Sequence, residues 1–147
     1  MNIGYLIKKL DVVDLEEDKQ GFLETLRNLT VAEDIDLEKM KKFLLEIENQ
    51  NSCIYIAKRN KEIVGTATLL IEQKFIHGGG KVGHIEDVAI RKEHKGNGIA
   101  SEIINSLIEV AKENGCYKII LDCKDKLLPF YGKFGFVHSD NCMRLNL

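Results

Sequence analysis

The chain has 147 residues, of which 44% are apolar and 30% charged, with a net charge of −2. That length predicts one domain over residues 1–147 with a single core. The near-neutral charge argues against nucleic acid and membrane surfaces as partners, and no apolar run is long enough to cross a bilayer.

In chain order, Ile3–Ile7 reads as a strand. Asp11 caps a helix whose Leu15, Phe22, Leu23, Leu26 and Leu29 recur at helical spacing up to Thr30. Asp36 caps a second helix, with Leu37, Met40, Phe43, Leu44 and Ile47 inward. Cys53–Ala57 and Ile63–Ile71 flank the polar turn Arg59–Glu62 and predict a β-hairpin. Phe75–Gly83 carries a triple glycine and reads as a flexible loop. Val82–Ile90 reads as the central strand, and Gly98–Glu113 as an amphipathic helix with Ile99, Ile103, Leu107, Val110 and Ala111 on one face, stopped by Asn114-Gly115. Tyr117–Asp122 reads as a buried strand, 128–134 as a short helix with Pro129 near its start, and Gly135–Val137 with Cys142–Leu147 as a closing hairpin. The order β-αα-βββ-α-β-α-ββ predicts an α/β (α+β) fold around a mixed sheet.

The stretch Lys95-Gly96-Asn97-Gly98-Ile99-Ala100 joins the central strand to the best helix. A glycine turn there leaves N–H groups free at the positive end of the helix dipole, a seat for phosphate. It lacks the Gly-Lys-Ser/Thr of a Walker loop and the third glycine of a dinucleotide fingerprint, and a plain tight connection is the alternative. Glu86 and Asp87 interrupt the apolar run of the central strand. Neighbouring strand residues face opposite ways unless a bulge intervenes, and buried acids without partners are costly, so the pair marks either a site or an exposed edge. Asp122 ends the next strand, where sites collect in α/β sheets, or caps the helix beyond. Tyr131 is either a core aromatic or a cleft residue; Phe130 is the better core candidate. Cys53, Cys116, Cys123 and Cys142 form no CxxC pair and no His/Cys set has zinc spacing, so no metal is expected. The thiols read as small hydrophobes in a reducing compartment, with a catalytic thiol as the minority reading, and the absence of a leader-like apolar segment predicts a cytoplasmic protein.

The element order and the turn resemble the GNAT superfamily of acetyl-CoA-dependent N-acetyltransferases, whose signature Gln/Arg-x-x-Gly-x-Gly/Ala is matched by Lys95-x-x-Gly98-x-Ala100. Lys95 departs from it, keeping a cation but losing the two-pronged reach of arginine. Gly83–Val88, Gly115–Cys123, Phe130-Tyr131-x-Lys133-x-Gly135-Phe136 and Leu26-x-x-Leu29-Thr30 are similar to the glucosamine-6-phosphate N-acetyltransferase family within it. The resemblance implies a single-domain GNAT fold with a splayed strand pair and acetyl-CoA as co-substrate. It implies that the turn 95–100 holds the pyrophosphate. Glu86, Asp87 and Val88 serve the thioester and acceptor, Asp122 orients the sugar amine, and Tyr131 protonates the departing thiolate. Thr30, Lys74 and His77 would contact the amino-sugar phosphate. The family's late arginine falls at Asn146, with Arg144 two residues earlier on the same strand face as the substitute. A cofactor-contacting asparagine of the family is Leu127 here. His84, His94 and His138 read as structural or solvent-facing. The resemblance further implies a homodimer whose subunits share each sugar site. A GNAT enzyme with another amine acceptor and a non-catalytic acyl-CoA sensor are the rival readings.

Overall fold

The computed structural model describes residues 4–147, so the start of the expected strand at Ile3 lies outside the described residues. A five-stranded sheet runs β1 (Leu6–Lys9), β2 (Cys53–Arg59), β3 (Glu62–Gln73), β4 (Lys81–Ile90), β5 (Cys116–Ile120) in sequence order. All neighbours are antiparallel except β4 and β5, which run parallel. The parallel pair requires a crossover, and helix α4 (Ile99–Glu113) provides it.

Alternation along the strands sorts the core to two faces. Cys53 and Ala57 of β2, with Ala67 and Leu69 of β3, pack under Ile99, Ile103, Ile104, Leu107 and Ala111 of α4. Ile54 and Ile56 point the other way. They meet Leu15, Phe22 and Leu23 of α1 (Val12–Arg27) and Met40 and Leu44 of α2 (Leu37–Asn49). Phe43, expected inward, is exposed, because the α2 stripe facing the sheet is narrower than its apolar pattern.

Two polar devices hold α1 to the sheet. Asp11 and Asp14 form a reciprocal capping box, and the buried Asp14 carboxylate also accepts from Lys58 Nζ at 2.8 Å and from Lys8. Burial works to raise the Asp14 pKa, but hydrogen bonds from Lys58, Lys8 and the Asp11 amide overrule it and hold the carboxyl at about 2. At Asp18 the helix kinks (φ −148°, ψ 54°). The Asp18 carboxylate accepts from Ile63 N of β3 at 2.8 Å and from Gly21 N at 3.1 Å, recapping the second half of α1.

Three expectations need correction. The segment 75–80 is not a featureless loop. A single turn, α3 (Ile76–Gly79), contains left-handed His77 and Gly78 and leads straight into β4 at Lys81. Strand β5 is an edge strand with Tyr117, Lys118 and Ile120 exposed, despite its Ile-Ile-Leu run. The closing hairpin does not form within the chain. After α5 (Leu128–Gly132) and its turn, residues 136–147 have no regular structure, and Val137, Met143, Leu145 and Leu147 stand in solvent.

Candidate active site

Strands β4 and β5 pair only over Lys81–His84 and Cys116–Ile120, after which they part. Residues 85–90 of β4 therefore have β3 on one side and no β5 partner on the other. At the same point β4 bulges. Thr66 pairs with Ala89 and Thr68 with Glu86, so Ala67 faces both Asp87 and Val88. Asp87 sits at φ 52°, a left-handed value uncommon for any residue but glycine and best tolerated by Asn and Asp. The bulge resolves the puzzle of two adjacent acids: Glu86, Asp87 and Val88 all line one cavity of about 900 Å³ that opens where the strands part. Both readings of the pair hold in part: β4 is internal over 81–84, but at Glu86 and the exposed Asp87 it presents a locally unpaired edge, and that edge lines the cavity.

The glycine turn forms one wall of this cavity through Lys95, Gly96, Gly98, Ile99, Ala100 and Ser101. Gly96 and Gly98 have φ of 84° and 76°, which an L side chain would resist, and Gly98 is the residue from which α4 starts. No side chain caps α4, so its first N–H groups are left for a ligand. Asn97 does not line the cavity; its side chain donates to His94 O at 3.0 Å and braces the turn from behind. The end of α1 is tied in as well. Lys92 N donates to Asn28 Oδ1 at 3.1 Å, and buried Arg91 donates to Gly21 O at 3.2 Å and pairs with Glu62. Asn28 and Leu29 thereby reach the cavity, while Thr30 next to them does not line it.

The facing wall comes from the stretch after β5. Asp122, Cys123, Lys124, Lys126, Leu127, Phe130 and Tyr131 line it. Tyr131, not Phe130, is the more deeply buried of the aromatic pair, with 6% of its surface exposed, yet it lines the cavity. Its ring meets Phe130 and Phe136 edge-on at 4.9 and 6.0 Å. Burial, then the nearby Cys123, pushes the Tyr131 hydroxyl above its usual pKa, so at neutral pH it is a proton donor. Glu86 is also raised, by burial first and then by the charges of Asp122 and Asp87. Cys123 is raised by burial, Asp122 and Asp125, which makes it a poor nucleophile.

The predicted acceptor cations are elsewhere. Lys74 pairs with Glu72 at 2.9 Å, and Glu72 also holds His84 at 3.0 Å. His77 stacks on Tyr117, with ring centroids 4.1 Å apart. Arg144 donates to Asn146 Oδ1 at 2.7 Å in the exposed C-terminal segment, so the substitute cation binds the residue that stands at the late arginine's position. His94 is structural, its Nδ1 2.9 Å from the Tyr5 hydroxyl. Sequence reasoning missed Asn28, Ser101, Lys124 and Lys126 as lining residues. Only position supplied a signal, since each flanks a motif already singled out.

Among the described residues no cluster of three His, Cys, Asp or Glu side chains could hold a metal ion, and no helix is long and apolar enough to cross a membrane.

Residues 21–136 match the model of the acetyltransferase (GNAT) family. Glucosamine 6-phosphate N-acetyltransferase of Trypanosoma brucei brucei is 36% identical over 146 residues, covering 93% of this chain and 99% of that protein. The enzyme of the same name from Candida albicans is 36% identical over 136 residues, covering 90% of this chain and 89% of its own. The crystal structure of glucosamine-6-phosphate N-acetyltransferase from Arabidopsis thaliana superposes with a TM-score of 0.90 at 31% identity, covering 97% of each chain.

Proposed function

The chain belongs to the GNAT family of acetyltransferases, and from that premise we propose that it transfers the acetyl group of acetyl-CoA to the amine of D-glucosamine 6-phosphate. The products are N-acetyl-D-glucosamine 6-phosphate and CoA, a step toward UDP-N-acetylglucosamine. The observation that carries the reading is the cavity between the parted strands. It joins an uncapped helix N-terminus, a buried tyrosine and three carboxylates in one space.

Each part answers a need of acetyl transfer. The N–H groups opening α4, with Lys95 beside them, hold the pyrophosphate of acetyl-CoA. The backbone groups of 85–90 that face away from β3 have no β5 partner and offer N–H groups to the thioester carbonyl, near the left-handed Asp87. The substrate amine must be neutral to attack. Glu86, Asp87 and Asp122 draw its ammonium form in, and a carboxylate there accepts the proton as the C–N bond forms. The ammonium gives up one proton to solvent before attack; when the C–S bond then breaks, the thiolate takes the Tyr131 hydroxyl proton, and the second proton, released by the nitrogen as the amide forms, restores the tyrosine. The net result moves one proton from amine to CoA thiol. Cys123, held protonated, supports direct attack in a ternary complex over an acetyl-cysteine intermediate.

The working form we propose is a cytoplasmic homodimer. Support for the dimer comes from three separate features: the apolar alternation Met143, Leu145, Leu147 on an unstructured segment, the open edge of β5, and the fully exposed Phe75. A partner's segment laid on these surfaces would bury them. It would also explain why Lys74, His77 and Arg144 do not reach the cavity of their own chain.

The test is CoA release with glucosamine 6-phosphate as acceptor. Turnover with that sugar at low KM is expected. Turnover only with another amine would replace the acceptor, and CoA binding without turnover of any amine would replace the enzyme by a sensor.

A further inference from the structure

The cavity contains three lysines, Lys95, Lys124 and Lys126, and none of them has a carboxylate partner among the described residues. Lys95 belongs to the glycine turn. Lys124 and Lys126 come from the opposite wall, at the 3-10 turn Asp125–Leu127 that leads into α5. Both cations line the cavity together with Asp122 of the same stretch, while Asp125 between them does not line it. Of the other cations expected to meet phosphate, Lys74 pairs with Glu72 and Arg144 donates to Asn146, and neither lines the cavity.

Resting on the reading above, the two substrates bring more anionic groups than the turn can take. The helix N-terminus and Lys95 serve the pyrophosphate diester. Within the cavity of one chain, two phosphomonoester dianions are then left with no cation but Lys124 and Lys126: the 3′-phosphate of the donor and the 6-phosphate of the acceptor. Unpaired, solvent-exposed ammonium groups lining the cavity suit such a dianion, with an attraction that weakens as salt rises.

We propose that Lys124 and Lys126 form a second phosphate-binding wall, which recognises a phosphomonoester of one substrate across the cavity from the glycine turn. They are specificity-determining residues, since a substrate lacking that phosphate forgoes both ion pairs.

The experiment compares the wild type with Lys124→Met/Lys126→Met and Lys124→Arg/Lys126→Arg. Four substrates are used: acetyl-CoA, 3′-dephospho-acetyl-CoA, glucosamine 6-phosphate and glucosamine. In the wild type one phosphorylated substrate is preferred over its dephosphorylated form. The methionine variant is expected to lose about tenfold or more of that preference in kcat/KM, and the arginine variant to keep it. Loss confined to the CoA pair assigns the wall to the donor, and loss confined to the sugar pair assigns it to the acceptor. Equal preferences in wild type and methionine variant, or an equal fall for phosphorylated and dephosphorylated forms, overturn the proposal. The donor arm is repeated as calorimetric binding of CoA against 3′-dephospho-CoA. That arm needs no acceptor, so an error in the acceptor assignment leaves it readable.

Discussion

Tyr131 and Glu86 carry the sharpest residue-scale expectations. Tyr131→Phe keeps the ring that packs in the core and removes only the hydroxyl of this cavity-lining residue. Its kcat should fall by about 100-fold with little change in KM, since general acid assistance acts in the transition state. A wild-type kcat with natural KM values would remove the acid role. Glu86 has two effects of opposite sign. Its pKa is raised in the folded protein, so ionising it costs stability as pH rises through the folded value. Glu86→Gln should therefore raise the thermal midpoint at neutral pH while lowering kcat/KM, and it should shift or abolish the acidic limb of the pH–rate profile. A lower midpoint would show that the carboxylates are not in mutual repulsion. Of these residues the sequence exposed the identities but not the postures. Two acids inside an apolar run announce something unusual, whereas the bulge that turns both into one cavity depends on pairing with β3 some twenty residues away. The choice between Phe130 and Tyr131 was unreadable because a five-residue helix is too short to show a period.

At the scale of elements, the long periodic segments were legible. The helix ending at Glu113 and the hairpin of β2 and β3 match their patterns to within a residue or two. Strand β5 was misread because an apolar triplet looks the same in a central strand and at an edge whose outer side awaits a cover. The attachment of α1 gives an acid-stability expectation. Asp14 has a folded pKa of about 2 against an ordinary 3.8. Its contribution is complete above the unfolded value and is lost as pH falls through the folded one, between about pH 4 and 2. The shift corresponds to roughly 2 kcal/mol. Asp14→Asn should lower stability at pH 7 by that order and flatten the decline between about pH 4 and 2, measured by denaturant unfolding. An undiminished acid decline would move the sensitivity to another carboxylate.

At the scale of the molecule, the part least legible was the C-terminal segment, because a strand pattern names no partner. Residues 142–147 carry the alternation of a strand and lie in the open. Truncation after Phe136 should leave the cavity lining of one chain intact and yield monomers in analytical ultracentrifugation, with activity falling through a higher KM for the acceptor. A dimer that survives truncation would place the interface elsewhere. The parting of β4 from β5 also has a dynamic consequence. One strand has two regimes of solvent protection: amides of 81–84 lie between two neighbours, and those of 85–90 that point toward β5 have none. In the free protein the latter should exchange with deuterium orders of magnitude faster than the former. The steepest gradient of exchange is thus expected inside the middle of the sheet, where most folds are most rigid, and filling the cavity should erase it.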